Sequence, residues 1–114
     1  MQDPPPEEGL ASQVDETEKK KKLFNLMNEL LVYNKYFLNN VNDLSIDMID
    51  DENFYQIGRL KDRLTSVNVK LQKYLLDNFV NNEYNRSLYV YILLRTEVLT
   101  SVKLLRNLLK IDEN

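Results

Sequence analysis

Residues 23–44 read LFNLMNELLVYNKYFLNNVNDL, and the placing of their apolar side chains decides the fold. Leu23, Met27, Leu30, Asn34, Phe37, Val41 and Leu44 recur at alternating intervals of four and three, the spacing of helices that pack at shallow angles along a shared seam. Phe24, Leu31 and Leu38 form a second row beside this seam, and Leu26 and Tyr33 flank it on the other side. A stripe that broad touches more than one neighbouring helix.

The same period continues downstream. Ile57, Leu60, Leu64, Val67, Leu71, Tyr74 and Asn78 make a second seam, and Tyr84, Leu88, Tyr91, Arg95, Val98, Val102, Leu105 and Leu109 make a third. The spacing predicts helices over about 15–41, 52–80 and 83–110. Asp15 with Glu18 three positions later forms a capping-box-like pair at the first start, and Glu16–Lys20 and Glu18–Lys22 stand at favourable i,i+4 spacing. Asp50 or Asp51 is the expected cap of the second helix. Asn81-Asn82 is the expected turn into the third, because Asn tolerates the left-handed conformation that ends helices. Gly58, inside the second helix, suggests close approach of a neighbouring backbone. The expected fold is all-α: an antiparallel three-helix bundle of long, coiled-coil-like helices, forming one domain over 15–111. A flexible acidic, Pro-containing tail (1–14) precedes it and a short tail (112–114) follows.

Composition narrows the function. The chain has 114 residues, with 20 Leu and 14 Asn against 2 Gly and 3 Pro, and no His, Cys or Trp. Without imidazole or thiol there is no zinc site of the usual kind, no disulfide and no Ser-His or Cys-His nucleophile, and two Gly do not make a phosphate-binding loop. The sequence thus gives no grounds for an enzyme, a cofactor or a small-molecule substrate. The acidic connection Asp43, Asp47, Asp50, Asp51, Glu52 lacks the alternation, turn Gly and distal Glu of a calcium loop, so no metal is expected there.

The net charge of −3 conceals an asymmetry: residues 1–18 hold six acids and no base, and residues 53–111 hold ten bases against four acids. A nucleic-acid interface through Lys61, Arg63, Lys70, Lys73, Lys103, Arg106 and Lys110 is therefore conceivable, although the pI near 5 speaks against it. Lys19–Lys22 has the look of an import or polyanion patch, but an exposed helical turn accounts for it as well. Ser12 and Thr17, each with acids close by, fit acid-directed phosphorylation. The seven tyrosines fall at helical spacing among Leu and Val, which suits core edges better than base stacking. No signal peptide or membrane span is expected, which points to the nucleus or cytoplasm.

Two polar side chains interrupt the seams. A buried Asn34 would fix register and partner choice, and a buried Arg95 would meet a carboxylate. Either helix can instead be turned so that the side chain reaches water, which is the preferred reading for Arg95 and an open alternative for Asn34.

The third helix and the end of the second carry more apolar side chains than a self-contained bundle buries. The expected function is accordingly a small helical subunit of a larger assembly, hetero-oligomeric through its second and third helices. Leu76, Phe79, Val80, Tyr89, Val90, Leu93, Leu104 and Ile111 are the expected contacts, since they lie off the main seams. The Asn-rich, Leu-rich, Gly-poor composition resembles that of small helical subunits of fungal nuclear assemblies such as transcription coactivators and kinetochore complexes, a likeness of composition alone. An autonomous adaptor with an apolar groove for an amphipathic peptide is the alternative.

Overall fold

From Leu23 to Val41, each member of the first seam faces inward: Leu23, Met27, Leu30, Asn34, Phe37 and Val41 are all buried, and Leu38 joins them from the second row. Ile57, Leu60, Leu64, Val67 and Leu71 do the same for the second seam. The computed structural model describes residues 6–44 and 49–110. These form three α-helices, α1 (Pro6–Asn42), α2 (Asp51–Lys73) and α3 (Tyr84–Leu109), with α2 prolonged by a π-helical turn over Tyr74–Asn78. No strand occurs among the described residues.

Contacts along the bundle fix its topology. At one end Phe24 meets Phe79 with ring centroids 5.2 Å apart, and the Lys19 ammonium lies 5.9 Å from the Tyr84 ring centroid. At the other end the Arg106 guanidinium stands 5.5 Å from the Phe37 ring centroid, and Asn34 meets Leu64 and Asn68 between them. Helices α1 and α3 therefore run parallel, with α2 antiparallel to both, in an elongated body of 71 × 28 × 18 Å.

Several expectations are corrected at the helix ends. Helix α1 begins at Pro6, not Asp15, so residues 6–14 of the expected flexible tail are helical. Pro is tolerated in a first turn, where its missing N–H has no intrahelical partner to lose. Asp15 then lies inside the helix, where it pairs with Lys19 at 3.3 Å. Asp50 does occupy the position before α2, with φ −65° and ψ 139°, but its side chain makes no capping bond; its carbonyl accepts from the Asn53 N–H at 3.0 Å. Asp51 and Glu52 supply the acidic first turn. Asn81 and Asn82 form the turn without entering the left-handed region; among the described non-glycine residues only Lys110 does so, at φ 57°, closing α3. Asp47, Ile111 and the residues at 1–5 and 112–114 lie outside the described residues.

The π-helical turn decides which residue ends the α2 seam. Its wider winding, with the Phe79 N–H donating to the Tyr74 carbonyl at 2.9 Å, brings Phe79 inward against Phe24 and Tyr74. Phe79 is thus a core residue rather than a partner contact. Its neighbours Leu76 and Val80 point outward, 84% and 83% exposed. Gly58 approaches no neighbouring backbone either: a methyl group added there would meet nothing within 4 Å.

Three substitutions check this arrangement by thermal or urea unfolding. Gly58→Ala should stabilise the chain by about 0.5–1 kcal/mol, since it restricts the unfolded state and creates no clash; a loss of stability would mean that the helix is packed at that point. Phe79→Ala should destabilise by about 3 kcal/mol and Val80→Ala by less than about 0.5. Equal effects would contradict the inward placement of Phe79.

Candidate helix-docking surface

Helix α3 carries an inner row and an outer row, with Ile92 and Leu99 exposed off both and Leu99 bordering Tyr33 of α1. Its inner row is Ser87, Tyr91, Leu94, Val98, Ser101 and Leu105, spaced four and three, with Val102 buried alongside. Over the first half of the helix this row is turned by about one residue from the predicted Leu88, Tyr91, Arg95. The cause is local. Ser87 and Ser101 are fully buried, and the Ser87 hydroxyl shares a 2.8 Å hydrogen bond with the Tyr74 hydroxyl. Leu88 consequently moves to the flank and Arg95 to the surface, so Arg95 is not the buried polar residue of this helix.

Asn34 is such a residue. Its side chain has no exposure, and its Nδ2 donates to the Leu64 carbonyl at 2.9 Å and to Asn68 Oδ1 at 2.8 Å. Asn34 Oδ1 has no hydrogen-bond partner, which leaves one unpaired acceptor inside the core. Hydropathy periodicity does not single out the other half of this clasp, Asn68. The usable signal is its position: Leu64, Asn68 and Leu71 keep a four-and-three row of their own beside Val67.

The outer row of α3 is Val90, Leu93, Glu97, Thr100 and Leu104, again at intervals of three and four. Leu93 is 52% and Leu104 38% exposed, and Val90 is half-buried. Facing it across a groove is the outer row of α2, Gln56, Arg59, Arg63, Ser66, Lys70 and Lys73, all exposed. The groove holds two adjoining hollows. One lies between Tyr55, Arg59 and Leu104; the other, of about 570 Å³, lies between Lys70, Val90, Leu93 and Glu97; Arg63 borders both.

Of the residues predicted for partner contact, Val90, Leu93 and Leu104 come together along this groove. Tyr89 is exposed one position off the row, and Leu76 and Val80 are exposed at the end of the bundle where α2 passes to α3. A second apolar patch, of which the sequence picked out only Tyr33 as a flank of the first seam, is formed by Val32, Tyr33 and Tyr36 on α1.

The remaining sequence candidates disperse. Arg63, Lys70 and Lys73 lie on α2, whereas Lys103 borders Tyr33 in the α1–α3 hollow and Arg106 stands over Phe37, so the basic residues do not make one stripe. Lys19 is engaged by Asp15 and Tyr84. Among the described residues no group of three acidic side chains gathers to hold a metal ion, and no helix is long and apolar enough to cross a membrane. Comparison with protein-family models, with curated proteins and with solved structures gives no match.

The Asn34–Asn68 clasp yields a double-substitution test. Asn34→Leu alone strands Asn68 Oδ1 against an apolar wall and should cost about 1–3 kcal/mol, whereas Asn34→Leu with Asn68→Leu should recover most of that loss. Urea unfolding of the four proteins measures the coupling, and strictly additive effects would show that the two side chains do not meet.

Proposed function

We propose that the chain is a non-enzymatic helical subunit of a larger protein assembly and acts by helix–helix contact through α2 and α3. The observation that carries this is the apolar outer row of α3: Val90, Leu93 and Leu104 stay at the surface although a complete set of inner residues already packs the bundle. Large apolar side chains aligned along one groove, rather than scattered singly, mark interaction surfaces. The likeness of composition noted above supports an intracellular setting in a eukaryotic cell, in the nucleus before the cytoplasm. A second reading draws on the same groove, namely an autonomous adaptor that accepts an amphipathic peptide segment.

An epitope-tagged full chain, expressed in its native cell and sized in gentle lysates, tests the proposal. The wild type and Val32→Asp, altered on the far side of α1, should elute in a particle several times larger than the 13.6 kDa chain with a fixed set of partners. Leu93→Asp with Leu104→Asp should elute free. A wild-type chain that runs as a free 13.6 kDa monomer would sink the subunit reading and leave the adaptor.

A further inference from the structure

The groove between α2 and α3 is unequal in charge, and this specifies what it receives. Along the groove the outer row of α2 carries three cations, Arg59, Arg63 and Lys70, with one acid, Glu52, at its outer end, and Lys73 continues the basic row just beyond the second hollow. The opposite wall is apolar at Val90, Leu93 and Leu104, with the half-buried Glu97 between them. From Glu52 to Lys70 the groove follows 19 residues of α2, about 27 Å at the helical rise. That length accommodates a straight helix of roughly five turns.

We infer that the occupant is an amphipathic helix of another protein with an acidic flank, which completes a four-helix bundle. This rests on the proposed function and names the partner's chemistry. The partner's apolar seam packs on Val90, Leu93 and Leu104, and its carboxylates, at intervals of three and four along one edge, lie over Arg59, Arg63, Lys70 and Lys73. Such flanking pairs set partner choice and orientation in helical assemblies, and they steer association. Glu97 adds a register mark, because a partner acid at its level is repelled and a partner cation is favoured. A second copy docked symmetrically through the same groove would set its α2 cations either against their own equivalents or over the apolar α3 wall, and in neither arrangement would they meet a row of carboxylates, which argues for a different chain.

The test uses the full chain and two labelled 21-residue helical peptides with the same leucine seam, one with a glutamate flank and one with a lysine flank, read by fluorescence anisotropy at low and high salt. The glutamate peptide should bind at least tenfold more tightly than the lysine peptide, and the difference should shrink with salt. Arg63→Glu with Lys70→Glu should reverse the preference. Leu93→Asp should abolish binding of both peptides, and Leu104→Asp supplies the same reading if the first variant is poorly folded by circular dichroism.

Equal binding of the two peptides, still lost in Leu93→Asp, would overturn the acidic partner and leave the docking face intact. Binding of neither peptide, or binding that Leu93→Asp and Leu104→Asp both leave unchanged, would overturn both. Concentration-dependent dimerisation of the chain alone, blocked by Leu93→Asp, would make a second copy the occupant and overturn the inference.

Discussion

One amide group inside an apolar core sets the terms for the rest of the bundle. Asn34 Nδ2 reaches both the Leu64 carbonyl and Asn68 Oδ1, and neither bond survives if α1 slides along α2 by a turn. Apolar seams with a seven-residue repeat tolerate such slips, since Leu replaces Leu, whereas a buried polar group does not. With α1 and α2 locked, the remaining concave face accepts α3 along Ser87, Leu94, Val98, Ser101 and Leu105. The outer row of α3 is then directed away from α1, over the edge of α2. The clasp thus links register to the position of the exposed groove.

The shape of the body explains why a groove is left. A cross-section of 28 × 18 Å holds three helices spaced 8–10 Å apart and little else, yet α3 is apolar well beyond its inner side. Its inner side is filled by Ser87, Tyr91, Leu94, Val98, Ser101 and Leu105, and the apolar Val90, Leu93 and Leu104 are left to the outer side. Between the α3 row and the basic α2 row the surface combines an apolar floor with a charged rim, the usual anatomy of a specific protein interface.

Much of the architecture was legible because the physics that forms it is periodic. The α1 and α2 seams could be read position by position, since strongly apolar side chains at intervals of four and three have one way to be buried together. The α3 seam was legible at Tyr91, Val98, Val102 and Leu105 but not at the buried Ser87 and Ser101. A count of apolar residues prefers Leu88 to Ser87, and it has no means of seeing that the Tyr74 hydroxyl awaits a partner at Ser87. Phe79 was misplaced for a related reason: a π-helical turn adds a residue to the winding, and a fixed period carried through Tyr74–Asn78 ends on Asn78. At the candidate surface, Val90, Leu93 and Leu104 were found because they lie off the inner seams. In the sequence Arg63, Lys70 and Lys73 stood only among the residues of a conceivable nucleic-acid interface, since only the pairing of α2 with α3 places the basic row beside an apolar wall.

Side-chain footprinting by hydroxyl radicals, with the isolated chain compared with the chain in the assembly purified from its native cell, tests the central claim most directly. The expected result is strong protection of Leu93, Leu104 and Val90 in the assembly, with Val32 and Tyr36 on the outer side of α1 as reactive as before. Protection confined to the α1 side, or an unchanged reactivity of Leu93 and Leu104, would contradict a partner helix in the α2–α3 groove.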